Sequence, residues 1–273
     1  MICQRNGDEK MNIITSILKK ISSFVTKAKK EIELSAQLKK SMNIEKGYSI
    51  ETLKKFYNNA KMLIDHFMSE PVEDLKICIT NGNKKIGRVM NVSLLPIFTC
   101  LNNCQGCRFF CYDIKACMQY KNVIIARVRN TVLLWRDRNR YFELIDQKIS
   151  RRRVNKYFRW HVAGDIIDSD YFERMIEIAR KHPDFIFWTY TKQYSIINKY
   201  CDVYGKNSIP ENLSIMFSQW DGIEIVNPYN FPEFRVYDDI TNAKEHICPG
   251  NCELCLKAKT GCPYGVTSAV KKH

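Results

Sequence analysis

From residue 76 onward, the chain alternates between short apolar, β-branched runs and stretches with helical periodicity. The runs 157–166, 185–191 and 211–219 are each separated from the next by residues whose apolar positions recur every three or four places. Because parallel strands need a crossover connection, usually a helix, this alternation predicts an α/β fold with a parallel sheet or a partial (β/α) barrel. Such folds bind ligands at the carboxyl ends of their strands, so we expect the functional site at that edge.

Two segments flank this central region. Residues 1–75 carry apolar residues at helical spacing with lysines between them, which predicts a helical N-terminal extension. Two apolar runs that meet at Asn81-Gly82 predict a hairpin or two neighbouring strands at the start of the central region. We therefore predict three regions: the helical extension 1–75, an α/β domain 76–240, and a cysteine-rich metal-binding segment 241–273.

The 12 cysteines are concentrated at two places. The first cysteine group is Cys100, Cys104, Cys107 and Cys111, and the second cysteine group is Cys248, Cys252, Cys255 and Cys262. Closely spaced thiolates can converge on one metal centre, so both groups are predicted metal ligands. The first group follows a strand, at the edge where an α/β domain does its chemistry, which weighs against a closed structural zinc site there. The second group suits an iron–sulfur cluster or zinc. The isolated cysteines are expected to be small buried apolar side chains: Cys3, Cys78, Cys117 and Cys201.

Polar residues follow the predicted strands at the same edge. Strand alternation places Arg159 and His161 on one face, and the run ends in Gly164-Asp165. A guanidinium and an imidazole on an inward face are costly unless they serve a ligand or a carboxylate. The candidate catalytic residues are Asp165, His161 and Lys192, the last of which could bind a carboxylate or an anionic substrate. The alternatives are a structural histidine, a helix cap for Asp165 and a solvated lysine. Second-tier candidates follow a further strand: Ser218, Gln219 and Asp221.

The C-x3-C-x2-C spacing of the first cysteine group, placed after a strand of an α/β fold, resembles radical S-adenosylmethionine (radical SAM) enzymes. That resemblance implies a partial (β/α) barrel in which three cysteines hold a [4Fe–4S] cluster and S-adenosylmethionine chelates the open iron. Gly164 and Asp165 stand where those enzymes carry a cofactor-binding turn, and Arg159 is a third candidate for cofactor binding. Gly106 departs from the usual aromatic residue before the third cysteine, and Cys111 adds a fourth thiol. If all four thiols bound one cluster, no open iron would remain.

A closer resemblance covers most of residues 89–265. The segments "CRFFCYDIKAC", "ARVRNTVLLWRD", "FRWHVAGDIIDSDYFERMIEIARKHPDFIFWTYTK" and "CPGNCELC" together resemble the phage-encoded gene product 88 family. The matching positions are Cys107, Cys111, Tyr112, Arg159, His161, Gly164, Asp165, Tyr190, Thr191, Lys192, Cys248, Cys252 and Cys255. Ile166 stands where many members have an aromatic residue. The family has no settled activity, so the resemblance implies the fold and the site rather than a reaction.

Nearly the whole net charge of +14 lies between Lys84 and Arg159, where 17 basic residues stand against four acidic ones. This basic band suits nucleic acid or a phosphate-bearing substrate, because counterion release drives such binding, although it also suits a solvated helix surface. The N-terminus lacks an apolar run with a small-residue cleavage site, and no apolar run reaches the length that spans a bilayer. We therefore expect a cytoplasmic protein whose thiols stay reduced unless metal holds them.

These patterns support two functional hypotheses. The leading one is an iron–sulfur protein, with radical-SAM-like chemistry if it is an enzyme. The alternative is a non-catalytic nucleic-acid-binding protein in which structural zinc occupies both cysteine groups.

Overall fold

The computed structural model describes residues 2–41, 47–83, 86–220 and 223–272. The helices are α1 (Ile2–Ser41), α2 (Ile50–Ser69), α3 (Gln105–Phe109), α4 (Tyr112–Gln119), α5 (Lys121–Arg136), α6 (Arg138–Ser150), α7 (Ser169–Lys181), α8 (Tyr194–Tyr204) and α9 (Cys252–Ala258). The strands are β1 (Ile79–Thr80), β2 (Met90–Val92), β3 (Tyr157–Trp160), β4 (Ile186–Thr191), β5 (Leu213–Gln219), β6 (Glu233–Tyr237), β7 (His246–Ile247) and β8 (Ser268–Lys271).

The strands form one open sheet in the order β1-β2-β3-β4-β5-β6-β8-β7. β1 runs antiparallel to β2, and the other neighbouring pairs are parallel, so the predicted α/β fold with a parallel sheet is confirmed. From β2 to β5 the spatial order follows the chain order, with helices in each connection. Right-handed crossovers in sequential order place these helices on the same face of the sheet. The opposite face is therefore left for other parts of the chain.

The helical face carries the main core. Phe158, Phe187 and Phe217 on three adjacent strands are fully buried and belong to the same cluster as the apolar faces of α5, α7 and α8. The predicted helices before residue 75 are present, and their buried residues join this cluster. The hydroxyl of Ser49 accepts the Thr52 N–H at 3.1 Å and so caps α2.

The C-terminal segment covers the opposite face. Trp188 on β4 and Met216 on β5 pack there against Leu256 of α9 and against Cys262. β7 and β8 extend the sheet beyond β6, so this segment supplies strands as well as the cover. We did not predict β6, β7 or β8 from the sequence, because they are short and half-buried and lack the long apolar runs of the central strands.

Asp146 joins α6 to the end of α7. Its carboxylate accepts hydrogen bonds from Lys181 and, at 2.6 Å, from His182. Burial alone would raise the pKa of Asp146, but these two donors lower it below its ordinary value. A carboxyl with a lowered folded-state pKa stabilises the fold above its unfolded pKa, and that contribution is lost as the pH falls through the folded pKa.

We therefore expect Asp146→Asn to lower the free energy of unfolding by about 1 kcal/mol at neutral pH. The difference from wild type should begin to shrink below about pH 4, the ordinary carboxyl pKa, and should be lost as the pH falls through the lowered folded-state pKa. Urea unfolding at a series of pH values measures this difference. A difference that stays constant from neutral to acidic pH would show that Asp146 does not act through its charge.

Candidate functional site

The loop that carries the first cysteine group is held by its neighbours before it reaches Cys100. The Leu94 N–H donates to the carbonyl of Ala163 at the end of β3, at 2.9 Å. The Leu95 N–H donates to the hydroxyl of Thr131 on α5, at 2.8 Å. These bonds place the loop over the carboxyl ends of β2 and β3, at the edge that the strand order predicted.

The four thiols of the first cysteine group come together at this edge. The thiol of Cys104 accepts the Cys107 N–H at 3.3 Å at the start of α3, and Cys111 directly precedes α4. All four are free thiols that are half-buried. Burial, followed by the charge of Cys107, raises the pKa of Cys111 to about 12, and burial likewise raises the pKa of Cys100 and of Cys107. In the described part of the chain, no three His, Cys, Asp or Glu side chains are arranged to hold a single metal ion.

Asp165 lies beside this group and joins the end of β3 to the end of β4. Its carboxylate accepts the Ile166 N–H at 2.7 Å, the Thr191 hydroxyl at 2.7 Å and the Lys192 N–H at 3.0 Å. Burial raises the pKa of Asp165, although these donors oppose that shift. The helix cap considered for Asp165 is supplied by Asp168, which begins α7. Asp165 therefore holds two strand ends together at the site.

The ammonium group of Lys192 lies close to the first cysteine group. It donates to the Ser218 hydroxyl at 3.1 Å and lies 5.9 Å from the centre of the Trp220 ring. Burial alone would lower the pKa of Lys192, but the charges of Cys107 and Asp165 raise it above its ordinary value. Lys192 therefore supplies a positive charge next to the thiols.

Trp220 and Gln193 also lie at this edge, and neither was singled out from the sequence. A Cβ atom on Gly106 would lie 3.3 Å from Trp220, so the indole packs directly over α3. The amide oxygen of Gln193 accepts from Asn102 at 2.9 Å, whereas its buried Nε2 has no partner among the residues described. Gln193 follows β4 and Trp220 follows β5, and this position after a strand was the signal in the sequence that could have identified them. Asp221, a second-tier candidate, lies outside the described residues.

Gly164 fits the end of β3 against the cysteine loop. It has a φ of 87°, and a Cβ atom there would lie 2.6 Å from the Cβ of Leu94 and 2.9 Å from the hydroxyl of Thr99. The space beside Gly164 is therefore filled by the loop itself.

The ring of His161 points away from this edge, although the residue directly follows β3. β3 ends at Trp160, and the positive φ of 53° at His161 turns its ring toward the helical face. Its Nε2 lies 2.8 Å from the hydroxyl of Tyr171, which lies 3.1 Å from that of Tyr141. Burial, aided by the charge of Arg159, lowers the pKa of His161 to about 3, so the ring is neutral. The expectation that His161 and Arg159 share a face is wrong, because regular strand alternation stops at Trp160.

Replacing Tyr171 by phenylalanine tests this buried network. The change leaves His161 Nε2 and the Tyr141 hydroxyl without their shared partner, so we expect the free energy of unfolding to fall by about 2 kcal/mol. Tyr141→Phe removes only the outer hydroxyl and should cost about 1 kcal/mol. Chemical unfolding of both variants measures the difference. Equal losses would mean that the bond to His161 contributes nothing to stability.

Arg159 lies on the sheet face opposite the helices, next to the second cysteine group. Its guanidinium carbon is 4.6 Å from the centre of the Tyr190 ring, and the charge of Cys252 acts on it. Tyr190 in turn packs against the apolar cluster that contains Cys262, as does Cys252. The cofactor-binding candidate Arg159 is therefore separated from Gly164 and Asp165, and it lies near the other cysteine group.

The second cysteine group gathers around α9 and includes a histidine that sequence reasoning missed. The Sγ of Cys255 lies 3.5 Å from Nε2 of His246. A Cβ atom on Gly261 would lie 3.0 Å from that sulfur and 3.1 Å from that nitrogen, so the glycine permits their approach. The charges of Cys248, Cys252 and Cys262 all act on Cys255. His246 stands two residues before Cys248, and this short separation was the signal in the sequence that could have identified it.

Among the described isolated cysteines, Cys117 on α4 lies near enough to Cys111 for their charges to interact. Cys117 and Cys201 are buried as expected, and Cys78 is half-buried. The side chain of Cys3 lies outside the described part of the structure.

Part of the basic band is engaged within the fold. Several of its cations contribute to the fold: Arg108 pairs with Glu31, Arg127 with Asp113, Arg138 with Asp168, and Arg136 donates to the carbonyls of Phe67 and Glu70. Arg151 and Arg153 are exposed after α6, and Lys84 and Lys85 lie outside the described residues. No helix in the described ranges has both the length and the apolar content needed to cross a membrane.

The fold and the site define an α/β protein whose open sheet bears one cysteine group at its carboxyl edge and another on the face opposite its helices. The model of the gene product 88 family matches residues 53–233, about two-thirds of the chain. The chain belongs to the gene product 88 family. The match includes the first cysteine group, Asp165 and Lys192, and it ends before the second cysteine group. No curated protein and no solved structure matches the chain.

Proposed function

We propose that this chain is an iron–sulfur protein whose first cysteine group holds a [4Fe–4S] cluster, in an arrangement like the partial barrel of radical SAM enzymes. The observation that carries the proposal is the meeting of free thiols with Asp165 and Lys192 at the carboxyl edge of a parallel sheet. Thiolates are the usual ligands of such clusters, so the donor set fits. The edge is also the one at which α/β folds bind their ligands.

The chain's own residues would bind and orient a cofactor beside the cluster. A [4Fe–4S] cluster held there, reduced by an external one-electron donor and combined with S-adenosylmethionine, would supply the chemistry for hydrogen abstraction from a substrate. Lys192 suits the carboxylate of the cofactor or an anionic substrate group. Asp165 already accepts three hydrogen bonds, which leaves its remaining acceptor capacity for an ammonium group.

The remaining candidates take other roles in this proposal. His161 is a positioning residue, because its bond to Tyr171 holds the end of β3 from the helical face. Gly164 is the close contact between that strand end and the cysteine loop. Trp220 covers α3 and limits the access of water to the thiols.

Metal and spectroscopic analysis of anaerobically purified protein tests the proposal. We expect a brown protein that contains iron and acid-labile sulfide. A colourless protein with zinc as its only bound metal would overturn the iron–sulfur proposal. Adding S-adenosylmethionine to the reduced protein tests whether one iron of the cluster is open to bind it. An unchanged electron paramagnetic resonance spectrum would rule out the radical mechanism and leave a cluster that transfers electrons or supports the fold.

The alternative, a nucleic-acid-binding protein with two structural zinc sites, would use the exposed part of the basic band near Arg151 and Arg153. Binding to phosphates releases counterions, so its affinity would fall steeply with salt. Titration of a labelled duplex and a labelled single strand at low and moderate salt tests it. An affinity that does not change with salt would remove this alternative.

A further inference from the structure

Arg159 is a half-buried cation in the centre of the sheet, and no carboxylate among the described residues pairs with it. Its Nε is buried and makes no hydrogen bond, and within the described ranges the side chain forms no salt bridge. The groups whose charges act on it are the side chains of Tyr190, Tyr112, Cys252 and Cys262.

The other arginines in the interior are paired differently. Arg108 and Arg127 are buried, and each forms a salt bridge with a carboxylate, Glu31 and Asp113. This pairing is expected, because a guanidinium removed from water is strongly destabilising unless an opposite charge lies close. The face of the Tyr190 ring offsets part of that penalty for Arg159, but a ring carries no net charge.

The second cysteine group can supply the missing charge. Arg159 stacks on Tyr190, and Tyr190 and Cys252 both pack against the cluster that contains Cys262. The charges of Cys252 and Cys262 act on the guanidinium. Neutral thiols would provide no counter-charge. Four thiolates around zinc or around an iron–sulfur core carry a net negative charge, and an adjacent guanidinium would neutralise part of it.

We propose that Arg159 is the charge partner of the second cysteine group and that this group holds an anionic metal–thiolate centre. The inference goes beyond the proposed function, which concerns the first cysteine group, and it holds for zinc as well as for iron at the second group. Arg159 is a positioning residue here, because it stabilises the ligands rather than binding the metal. The charge of Tyr112, which follows Cys111, also acts on Arg159.

The test measures metal loss from the full-length protein purified anaerobically. Cys252→Ser identifies the metal that belongs to the second group. Outer-shell partners of metal ligands typically change metal affinity by about 10- to 100-fold, so we expect Arg159→Met to speed release of that metal to a chelator by about tenfold or more. Arg159→Lys keeps the charge and should release it at an intermediate rate.

Arg129→Met is the matched control, because Arg129 also stacks on an aromatic ring, that of Phe67, at 4.9 Å, but it has no contact with either cysteine group. It should release metal at the wild-type rate. Circular dichroism of each variant checks that the fold is retained, and metal release from Arg159→Lys remains informative if Arg159→Met does not fold.

Two outcomes would overturn the inference, and they are distinct from failure at the first group. If Cys252→Ser binds as much metal as wild type, the second group holds none. If Cys252→Ser loses metal but Arg159→Met releases it at the wild-type rate, Arg159 is not the charge partner, whereas the iron–sulfur proposal stands. Zinc at the second group together with an absence of iron would refute the proposed function and leave the role of Arg159 intact.

Discussion

Replacing Cys107 by serine is expected to remove nearly all the iron and sulfide of the first cysteine group while the chain stays folded. Cys107 lies on α3, its N–H is bonded to the thiol of Cys104, and its charge acts on Cys100 and Cys111. A serine hydroxyl is a poor ligand for the iron of such a cluster, which thiolates hold. Iron and sulfide content and visible absorption of the anaerobic protein measure the loss.

Cys201→Ser is the control for this experiment. Cys201 is a buried cysteine on α8, away from both groups, so its replacement should leave the iron content at the wild-type value. Retention of full iron in Cys107→Ser would exclude the first group as the cluster site. Loss of iron in both variants would indicate a general effect of cysteine replacement on folding.

Cys111→Ser distinguishes a cluster held by three thiolates, with one open iron, from a cluster held by four. If three thiolates bind the cluster, this variant keeps its iron and S-adenosylmethionine changes its spectrum. If Cys111 is a fourth ligand, the variant loses iron or gains an open iron that the wild-type protein lacks. The comparison decides between a cluster that does chemistry and one that carries electrons or supports the fold.

Gly164→Ala is expected to lower the free energy of unfolding by about 4 kcal/mol, because two penalties coincide. The residue has a φ of 87°, which an alanine rarely adopts, and the added Cβ would lie only 2.6 Å from the Cβ of Leu94. Leu94 and Thr99 are fully buried, so neither can move away without disturbing the cysteine loop. We also expect the variant to lose metal from the first cysteine group more readily.

Gly265→Ala is the matched control for the backbone penalty. Gly265 has a φ of 69° and a ψ of 27°, in the left-handed region, and its nearest neighbours would be 3.8 and 3.9 Å from an added Cβ. This substitution should therefore cost only about 1 kcal/mol. Chemical unfolding measures both variants. Equal losses of unfolding free energy would mean that the cysteine loop shifts to make room for the added Cβ. Gly164 would then be required only for its backbone conformation.

The candidate site could be predicted in position but not in internal arrangement. Cys100, Asp165 and Lys192 each follow a strand, and parallel strands end at a common edge, so their meeting follows from local patterns and strand direction. His161 follows a strand in the same way, yet its ring points to the helices because a positive φ at that one residue interrupts the alternation. Nothing in the period of the strand signals that interruption.

By itself, the sequence determined the types of the central elements, the parallel sheet and the edge at which the first cysteine group lies. These properties depend on local periodicity and on the chain connections that parallel strands require. Only the tertiary structure decided that the second cysteine group covers the sheet face opposite the helices and meets Arg159 there. That arrangement joins residues far apart in the chain. It depends on how β7, β8 and α9 dock onto the sheet, because their packing brings Cys252 and Cys262 to the cluster against which Tyr190, the stacking partner of Arg159, also packs.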